Sequence, residues 1–163
     1  MFGIQQPFDD FGVGLNGGSL ASPTIRILVV DDLEAWRQRI RSMLQTRPEL
    51  CVVAEAADGL EAVQKAQELK PDLILLDIGL PNLDGLEAAK RIHQVAPDAR
   101  IMFLTQNRDK DVVQAALRNG ARGHVLKTDA GSELLTAVAR VLGGDDFVSS
   151  GINGGDSGET EDT

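Results

Sequence analysis

Short apolar runs alternate with segments of helical periodicity through the middle of the chain. The runs occupy residues 25–30, 51–56, 72–77, 100–105 and 123–127. Their length and their β-branched content are typical of buried strands. Apolar residues at helical spacing follow the first run, from Leu33 to Leu44, and the last run, from Leu134 to Leu142. Strands that are apolar on both faces and separated by helices predict an α/β protein, a (βα)5 doubly wound five-stranded parallel sheet.

The spacing of acidic residues and glycines predicts where several helices begin and end. Two Asp-x-x-Glu patterns, Asp58 to Glu61 and Asp84 to Glu87, have the spacing of a capping box with Asp in place of Ser or Thr. A helix is expected to start just after each. Gly120 and Gly143 are expected to end helices, because glycine tolerates the left-handed backbone that is common there.

Acidic residues without basic partners are concentrated at the two ends of the chain. The formal net charge is -9, and residues 1–23 and 144–163 contain no Lys or Arg. We predict a flexible N-terminal extension over 1–23, a folded domain over 24–143, and a disordered, acidic, Gly-rich tail over 144–163. Phosphate backbones are held by clustered Lys and Arg, so this distribution argues against direct nucleic-acid binding.

The cysteine content and the hydropathy bear on the compartment. Cys51 is the only cysteine, so an internal disulfide is excluded and a reducing compartment fits. Because it begins the second predicted strand, we expect it to be a buried, inert small hydrophobe. No stretch approaches the roughly 18 apolar residues of a membrane span. These features predict a soluble, cytoplasmic protein with no membrane partner.

Polar and charged side chains stand at the carboxyl ends of four predicted strands. Asp31 and Asp32 follow the first strand, Asp77 ends the third, Thr105 the fourth and Lys127 the fifth. Each alone has an ordinary structural explanation, such as a helix cap, a turn residue or a solvated base. In an open α/β sheet, however, ligands bind beyond the carboxyl ends of the strands. Their joint placement therefore predicts a site at this edge.

The predicted site has three carboxylates against one ammonium group, which favours a bound divalent cation. Oxygen ligands without nearby His or Cys favour a hard ion such as Mg²⁺ over zinc. An aspartate can act as a nucleophile toward phosphorus, and phosphoryl transfer is catalysed mostly by positioning and charge neutralisation. Mg²⁺, Lys127 and the Thr105 hydroxyl would together neutralise the oxygens of a phosphoryl group.

The segments "VVDD", "LILLDIGLPNLDG", "FLT" and "GHVLK" resemble the receiver domain of two-component response regulators over residues 24–143. The resemblance implies a flavodoxin-like fold with strand order 2-1-3-4-5. It implies that Asp77 accepts a phosphoryl group from a sensor histidine kinase or phosphotransfer protein. It further implies a magnesium site, whose ligands would be Asp32, Asp77 and the backbone carbonyl of Gly79, with Asp31 contributing through a water molecule. Lys127 and Thr105 would contact the phosphoryl group.

The same resemblance implies that phosphorylation changes a protein interface. In the family this is the α4-β5-α5 surface, here the helix ending at Gly120, the strand at 123–127 and the helix ending at Gly143, and homodimerisation through it is the expected output. The loop text is most similar to receivers that precede a LuxR-type helix-turn-helix domain. The residues after Gly143 are too few to supply that domain, so regulation of transcription would need a missing or separate output domain. A stand-alone receiver and a fragment both remain open.

Two positions depart from the family pattern. The switch residue, usually Tyr or Phe, falls at His124, which is smaller and can titrate near neutral pH. Thr128 follows the lysine where many receivers have Pro, so a trans peptide bond is expected. Gly79 and Asn107, each two residues beyond a site residue, are expected to flank the pocket and tune hydrolysis.

Three alternative functions fit parts of the pattern. A phosphorylation-independent, degenerate receiver would act as an interaction module. A phosphohydrolase of the haloacid dehalogenase type would place a second Asp two residues after the nucleophile, where this chain has Gly79. A flavodoxin-like cofactor binder needs a phosphate-cradling loop after the first strand, where Asp31 and Asp32 would repel the phosphate. The leading interpretation is a signalling switch whose chemistry is limited to phosphorylation and dephosphorylation of Asp77.

Overall fold

A computed structural model describes residues 24–106 and 108–151. The predicted extension over 1–23, Asn107 and the part of the predicted tail beyond residue 151 lie outside these residues. No helix in the described part of the chain is both long and apolar enough to cross a membrane.

Strands and helices alternate along the described chain. The first half contains β1 (Ile25–Val30), α1 (Glu34–Leu44), β2 (Leu50–Ala56), α2 (Gly59–Leu69) and β3 (Leu73–Leu76). The second half contains α3 (Gly85–Val95), β4 (Arg100–Thr105), α4 (Lys110–Arg118), β5 (Gly123–Leu126), α5 (Ala130–Leu142) and β6 (Phe147–Val148). One turn of 3₁₀ helix, Lys127–Asp129, joins β5 to α5.

All strands pair in parallel in one sheet, in the order β2-β1-β3-β4-β5-β6. The α/β class and the parallel sheet are confirmed, but the described residues contribute six strands to the sheet where five were predicted. The order reverses at β1, whose neighbours are β2 and β3. Ligand sites in such sheets lie outside the carboxyl ends of the strands beside this reversal.

Helices cover both faces of the sheet. Alternate residues of β1 show the division: Ile27 and Val29 pack with α1 and α5, while Leu28 and Val30 pack with α2, α3 and α4. All four of these side chains are fully or almost fully buried. Burying one such side chain contributes about 1.5–3 kcal/mol, so the two faces form a core that holds the strand ends rigidly.

The predicted helix starts are confirmed. The Asp58 carboxylate accepts a hydrogen bond from the Glu61 N–H at 2.8 Å, and the Asp84 carboxylate accepts one from the Glu87 N–H at 2.9 Å. Each satisfies one of the backbone N–H groups left unpaired in the first turn of a helix. Gly120 follows α4 with a positive φ of 93°, as expected.

The sixth strand lies in the segment predicted as a disordered tail from residue 144, and this part of the prediction is wrong. The left-handed residue after α5 is Gly144, with φ 99°, whereas Gly143 is right-handed. The turn directs the chain back along β5. The Phe147 N–H donates to the Arg122 carbonyl at 3.0 Å and the Ser149 N–H to the His124 carbonyl at 2.8 Å.

The prediction that Cys51 is buried is also wrong. Cys51 is exposed because β2 is the edge strand of the sheet formed by the described residues, where no described strand covers its outer side. The peptide bond between Lys127 and Thr128 is trans.

Candidate functional site

Four strands deliver their last residues to one edge of the sheet. The ladder between β1 and β3 continues one residue past the strands, because the Asp77 N–H donates to the Val30 carbonyl at 3.1 Å. Thr105 pairs with Leu126 in the last register position of β4 and β5. Asp31 and Asp77 are therefore level with each other, and Lys127 follows Leu126 at the same edge of the sheet.

Lys127 forms a buried ion pair with two of the predicted site residues. Its Nζ lies 2.6 Å from Asp31 Oδ2 and 3.3 Å from Asp77 Oδ2. The exposed fractions of the three side chains are 4% for Lys127, 1% for Asp31 and 11% for Asp77. Asp77 is thus the more accessible of the two carboxylates that share the ammonium group.

Burial is the main influence on Asp31. It raises the pKa of this carboxyl above its ordinary value, while the Lys127 ammonium group and the Leu33 N–H, which donates to Oδ1 at 2.9 Å, act in the opposite direction. The nearby Asp77 carboxylate raises the pKa slightly further. Crowded carboxylates and one ammonium group leave excess negative charge at this edge.

The excess charge fits a hard divalent cation. Ligand oxygens of Asp31, Asp32 and Asp77 all lie within 4.8 Å of one another, and Asp32 is exposed to solvent. Gly79 is exposed and has open space where a side chain would stand. Oxygen-only ligands in a half-open site that leaves room for water suit Mg²⁺. The donor set therefore fits this ion.

A pocket of about 420 Å³ opens above the cluster. Its walls are Asp32, Leu33, Asp77, Ile78, Gly79, Thr105, Gln106 and Lys127. The structure thus brings the predicted residues Asp32, Asp77, Gly79, Thr105 and Lys127 to one cavity, with Asp31 beneath it. The sequence did not indicate the other three lining residues, Leu33, Ile78 and Gln106, because each follows a site residue and none carries a group that the predicted chemistry requires.

The loop from Ile78 to Asp84 and the first residue of α3 pack closely against the backbone of Asp77. The Gly85 N–H donates to the Ile78 carbonyl at 2.7 Å, and a Cβ added at Gly85 would lie 2.2 Å from the Asp77 carbonyl oxygen. Only glycine permits this approach. The loop is therefore held against the residue that carries the most accessible buried carboxylate.

Thr105 and His124 were predicted as switch residues. Thr105 is 3% exposed at the end of β4 and lines the pocket. His124 is fully buried on β5, with its ring centroid 6.4 Å from that of Phe103. Neither ring nitrogen of His124 has a hydrogen-bond partner within the described residues. Burial lowers its pKa to about 4, so the expected titration near neutral pH is wrong.

One contact at the site was not predicted. The Lys127 Nζ lies 4.9 Å from the ring centroid of Trp36, one of the apolar residues at helical spacing between Leu33 and Leu44. The helical spacing gives the face on which Trp36 lies, but not the neighbour that approaches it.

Comparisons with known proteins agree with this geometry. Residues 27–139 match the family model described as the response regulator receiver domain. The transcriptional regulatory protein LnrK of Bacillus subtilis is 38% identical over 74% of this chain, and the response regulator protein VraR of Staphylococcus aureus is 39% identical over 75%. The chain covers only 54% and 58% of the lengths of these two relatives.

Solved structures show the same similarity. A LuxR-family two-component response regulator from Aurantimonas sp. SI85-9A1 is 35% identical with a TM-score of 0.79, over 84% of this chain and 98% of that one. The response regulator domain of Thermotoga maritima CheB is 37% identical with a TM-score of 0.70, over 75% of this chain and 98% of that one. The chain therefore belongs to the receiver domain family of two-component response regulators.

Proposed function

We propose that this receiver domain accepts a phosphoryl group on Asp77 in a Mg²⁺-dependent reaction and transmits the change through a protein interface. The observation that carries the proposal is the position of Lys127, whose ammonium group lies between Asp31 and Asp77 at the floor of an open pocket. Among these two carboxylates, Asp77 is the one with access to the pocket, so it is the nucleophile.

The transfer requires no further acid or base from the chain. A carboxylate oxygen of Asp77 attacks the phosphorus of a phosphohistidine, the N–P bond breaks, and its electron pair leaves with the imidazole, which is released neutral when its ring carries a proton. Lys127 balances the charge of the transferred group, and the Thr105 hydroxyl donates to one of its oxygens. Gly79 offers no acid/base side chain toward the pocket, which favours a switch over a hydrolase of external substrates.

The cation would be held by the carboxylates of Asp32 and Asp77 and the carbonyl of Gly79, with Asp31 acting through water. Mg²⁺ supplies neutralisation of phosphoryl oxygens and an orienting template. Asp31 is buried and already paired with Lys127, while Asp32 is exposed, so Asp32 is free to turn toward an ion. This difference in burial supports a direct role for Asp32 and an indirect one for Asp31.

The response is proposed to run from Thr105 and His124 to the α4-β5-α5 surface. Thr105 ends β4, His124 lies on β5, both side chains are buried, and β5 contacts α4. In this chain β6 pairs with the outer edge of β5, so the surface is formed by α4, β6 and α5. Homodimerisation through this face would therefore bury β6 and not the edge of β5.

The partner that supplies the phosphoryl group is proposed to be a sensor histidine kinase or a phosphotransfer protein. One relative is named a transcriptional regulatory protein and is longer than this chain. Control of transcription is accordingly proposed only through an output domain that residues 24–151 do not contain. No direct contact of these residues with nucleic acid or membrane is proposed.

Intact mass spectrometry after incubation with acetyl phosphate and Mg²⁺ tests the proposal. We expect a gain of one phosphoryl group that is lost with hydroxylamine, absent from Asp77→Asn and from a chelated sample. Asp98→Asn is the matched control, because Asp98 is an exposed aspartate at the opposite end of the strands. No gain in the wild type, with Mg²⁺ binding demonstrated separately, would contradict the proposal and favour a phosphorylation-independent receiver.

A further inference from the structure

The lysine of the site has a third neighbour besides the two carboxylates. Lys127 Nζ lies 2.6 Å from Asp31, 3.3 Å from Asp77 and 4.9 Å from the centroid of the Trp36 ring. An ammonium group has three donors, and an aromatic face within about 6 Å of a cation is attractive. The ring of Trp36 therefore occupies one side of an ammonium group whose other contacts are charged.

Burial makes this contact effective. The Lys127 side chain is only 4% exposed, and cation–π attraction is larger when the cation is desolvated. The ring carries no net charge, so it holds the ammonium group without neutralising it. An aromatic face also lacks the single direction of a hydrogen bond, so the ammonium group can shift sideways and stay in contact.

We propose that Trp36 is a positioning residue that holds the Lys127 ammonium group in the pocket while it shifts from Asp31 toward a phosphoryl group on Asp77. The proposal rests on the proposed function, because phosphorylation of Asp77 is the step it assists. Without the ring, the long lysine side chain gains rotamers that place its charge away from Asp77. Phosphorylation then slows although the carboxylates are unchanged.

Arg39 provides a matched control on the same ring. Its guanidinium carbon lies 5.4 Å from the centroid of Trp36, but Arg39 is exposed on α1 and is not one of the residues that line the pocket. Exposed charges are screened by water and salt. Arg39→Gln should therefore leave the phosphorylation rate within about twofold of the wild type, since exposed pairs contribute little.

Trp36 is the only tryptophan of the chain, so biosynthetic labelling with fluorinated tryptophans changes this ring alone. Ring fluorination weakens the attraction for a cation and keeps the size of the side chain nearly constant. With acetyl phosphate as donor, we expect the phosphorylation rate to fall stepwise with each added fluorine. Trp36→Leu should lower it about fivefold, within the range that cation–π energies imply.

Nuclear magnetic resonance of the Lys127 side chain gives a second readout that needs no phosphorylation. The ring current of Trp36 should shift the signals of the terminal methylene and ammonium protons upfield in the wild type, and Trp36→Leu should abolish the shift. Absence of the shift in the wild type would overturn the contact itself. A shift that is present with a rate insensitive to fluorination would overturn the positioning role.

The result for the wild type distinguishes a failure of the proposed function from a failure of the positioning role of Trp36. If the wild type gains no phosphoryl group, the proposed function fails and the role of Trp36 fails with it. If the wild type is phosphorylated and the fluorinated proteins react equally fast, only the role of Trp36 is overturned.

Discussion

Lys127 and His124 are both buried polar side chains, but the loss of contact with water is compensated differently at each. Lys127 forms ion pairs with Asp31 and Asp77. His124 instead stays neutral, because burial lowers its pKa to about 4 and no described residue offers its ring nitrogens a partner. A buried polar group without a partner costs about 1–3 kcal/mol. The sequence places both residues in or directly after the fifth strand, but how deeply they are buried becomes visible only when the sheet is assembled.

The buried neutral state of His124 predicts an acid-sensitive stability. Because the pKa is lowered from 6.5 to about 4, the unfolded chain binds the proton first as the pH falls. The stabilising contribution of neutral His124 is fully present above pH 6.5 and is lost as the pH falls to the folded pKa of about 4. Between these two values the free energy of unfolding falls by about 1.4 kcal/mol per pH unit. Chemical unfolding of the wild type and of His124→Phe between pH 7 and 4 measures it.

The variant should lose this slope, and the other histidine supplies the control. His93 is exposed on α3, so His93→Phe should keep the pH dependence of the wild type. Equal slopes in the wild type and in His124→Phe would show that His124 is not buried in its neutral form.

At the scale of elements, the sequence predicted the strands with regular pattern and missed the one without it. Capping residues such as Asp58 marked helix starts, because one side chain satisfies the N–H groups locally. β6 has only two residues, Phe147 and Val148, in a Gly-rich acidic segment whose composition is typical of disorder. Its stability comes from pairing with β5 and from side-chain contacts with α5, and neither is visible in a local pattern.

Ser149 anchors the sixth strand. It is fully buried, and its hydroxyl lies 2.8 Å from Asp129 Oδ2 and 2.6 Å from Glu133 Oε1 at the start of α5. Ser149→Ala should lower the free energy of unfolding by about 1–3 kcal/mol, because a buried hydroxyl loses its hydrogen bond to a half-buried carboxylate. Ser150→Ala also removes a hydrogen bond to Glu133, but the Ser150 hydroxyl is exposed and exchanges this bond for water, so the change should be less than about 0.5 kcal/mol.

Amide hydrogen exchange locates the effect. Ser149→Ala should increase exchange at the Phe147 and Ser149 amides, which donate to β5. Equal protection in the wild type and in both variants would contradict the anchoring role of Ser149.

The close approach of α2 to the loop before α3 requires Gly59. A Cβ at Gly59 would lie 1.9 Å from the Leu83 carbonyl oxygen. Gly59→Ala should destabilise the protein by about 3 kcal/mol, because the added methyl group meets backbone atoms of Leu83, so the backbone must shift. Gly131→Ala in α5, where nothing lies within 4 Å of the added Cβ, should stabilise it by about 0.5–1 kcal/mol. Urea unfolding followed by circular dichroism compares them, and equal stability of the two variants would contradict the packing.

At the scale of the whole molecule, strand order decides which residues meet. The rule that parallel strands place ligands at their carboxyl ends predicted the edge of the site, and the resemblance supplied the order of the five longer strands. Periodicity alone contains no information on order, because strands of similar composition can exchange places. The burial of Cys51 was wrongly predicted for this reason, because the hydrophobic pattern of the sequence does not distinguish an edge strand from a central strand.

The charge of the molecule follows the same organisation. The net charge is -9, yet the carboxylates that matter for the proposed chemistry are three residues gathered around one lysine. The repulsion among these carboxylates destabilises the unphosphorylated protein, and a bound cation would offset it. The proposed chemistry requires that Asp77, and not Asp31 or Asp32, is the residue that is modified.

Borohydride trapping tests this assignment most directly. The protein is incubated with acetyl phosphate and Mg²⁺ and treated with borohydride, which reduces an aspartyl phosphate to homoserine, and its peptides are sequenced by mass spectrometry. If Asp77 is the phosphorylated residue, homoserine is expected at position 77 and unmodified aspartate at positions 31 and 32. Homoserine at position 31 or 32, or at no position while the protein is folded and binds Mg²⁺, would contradict it.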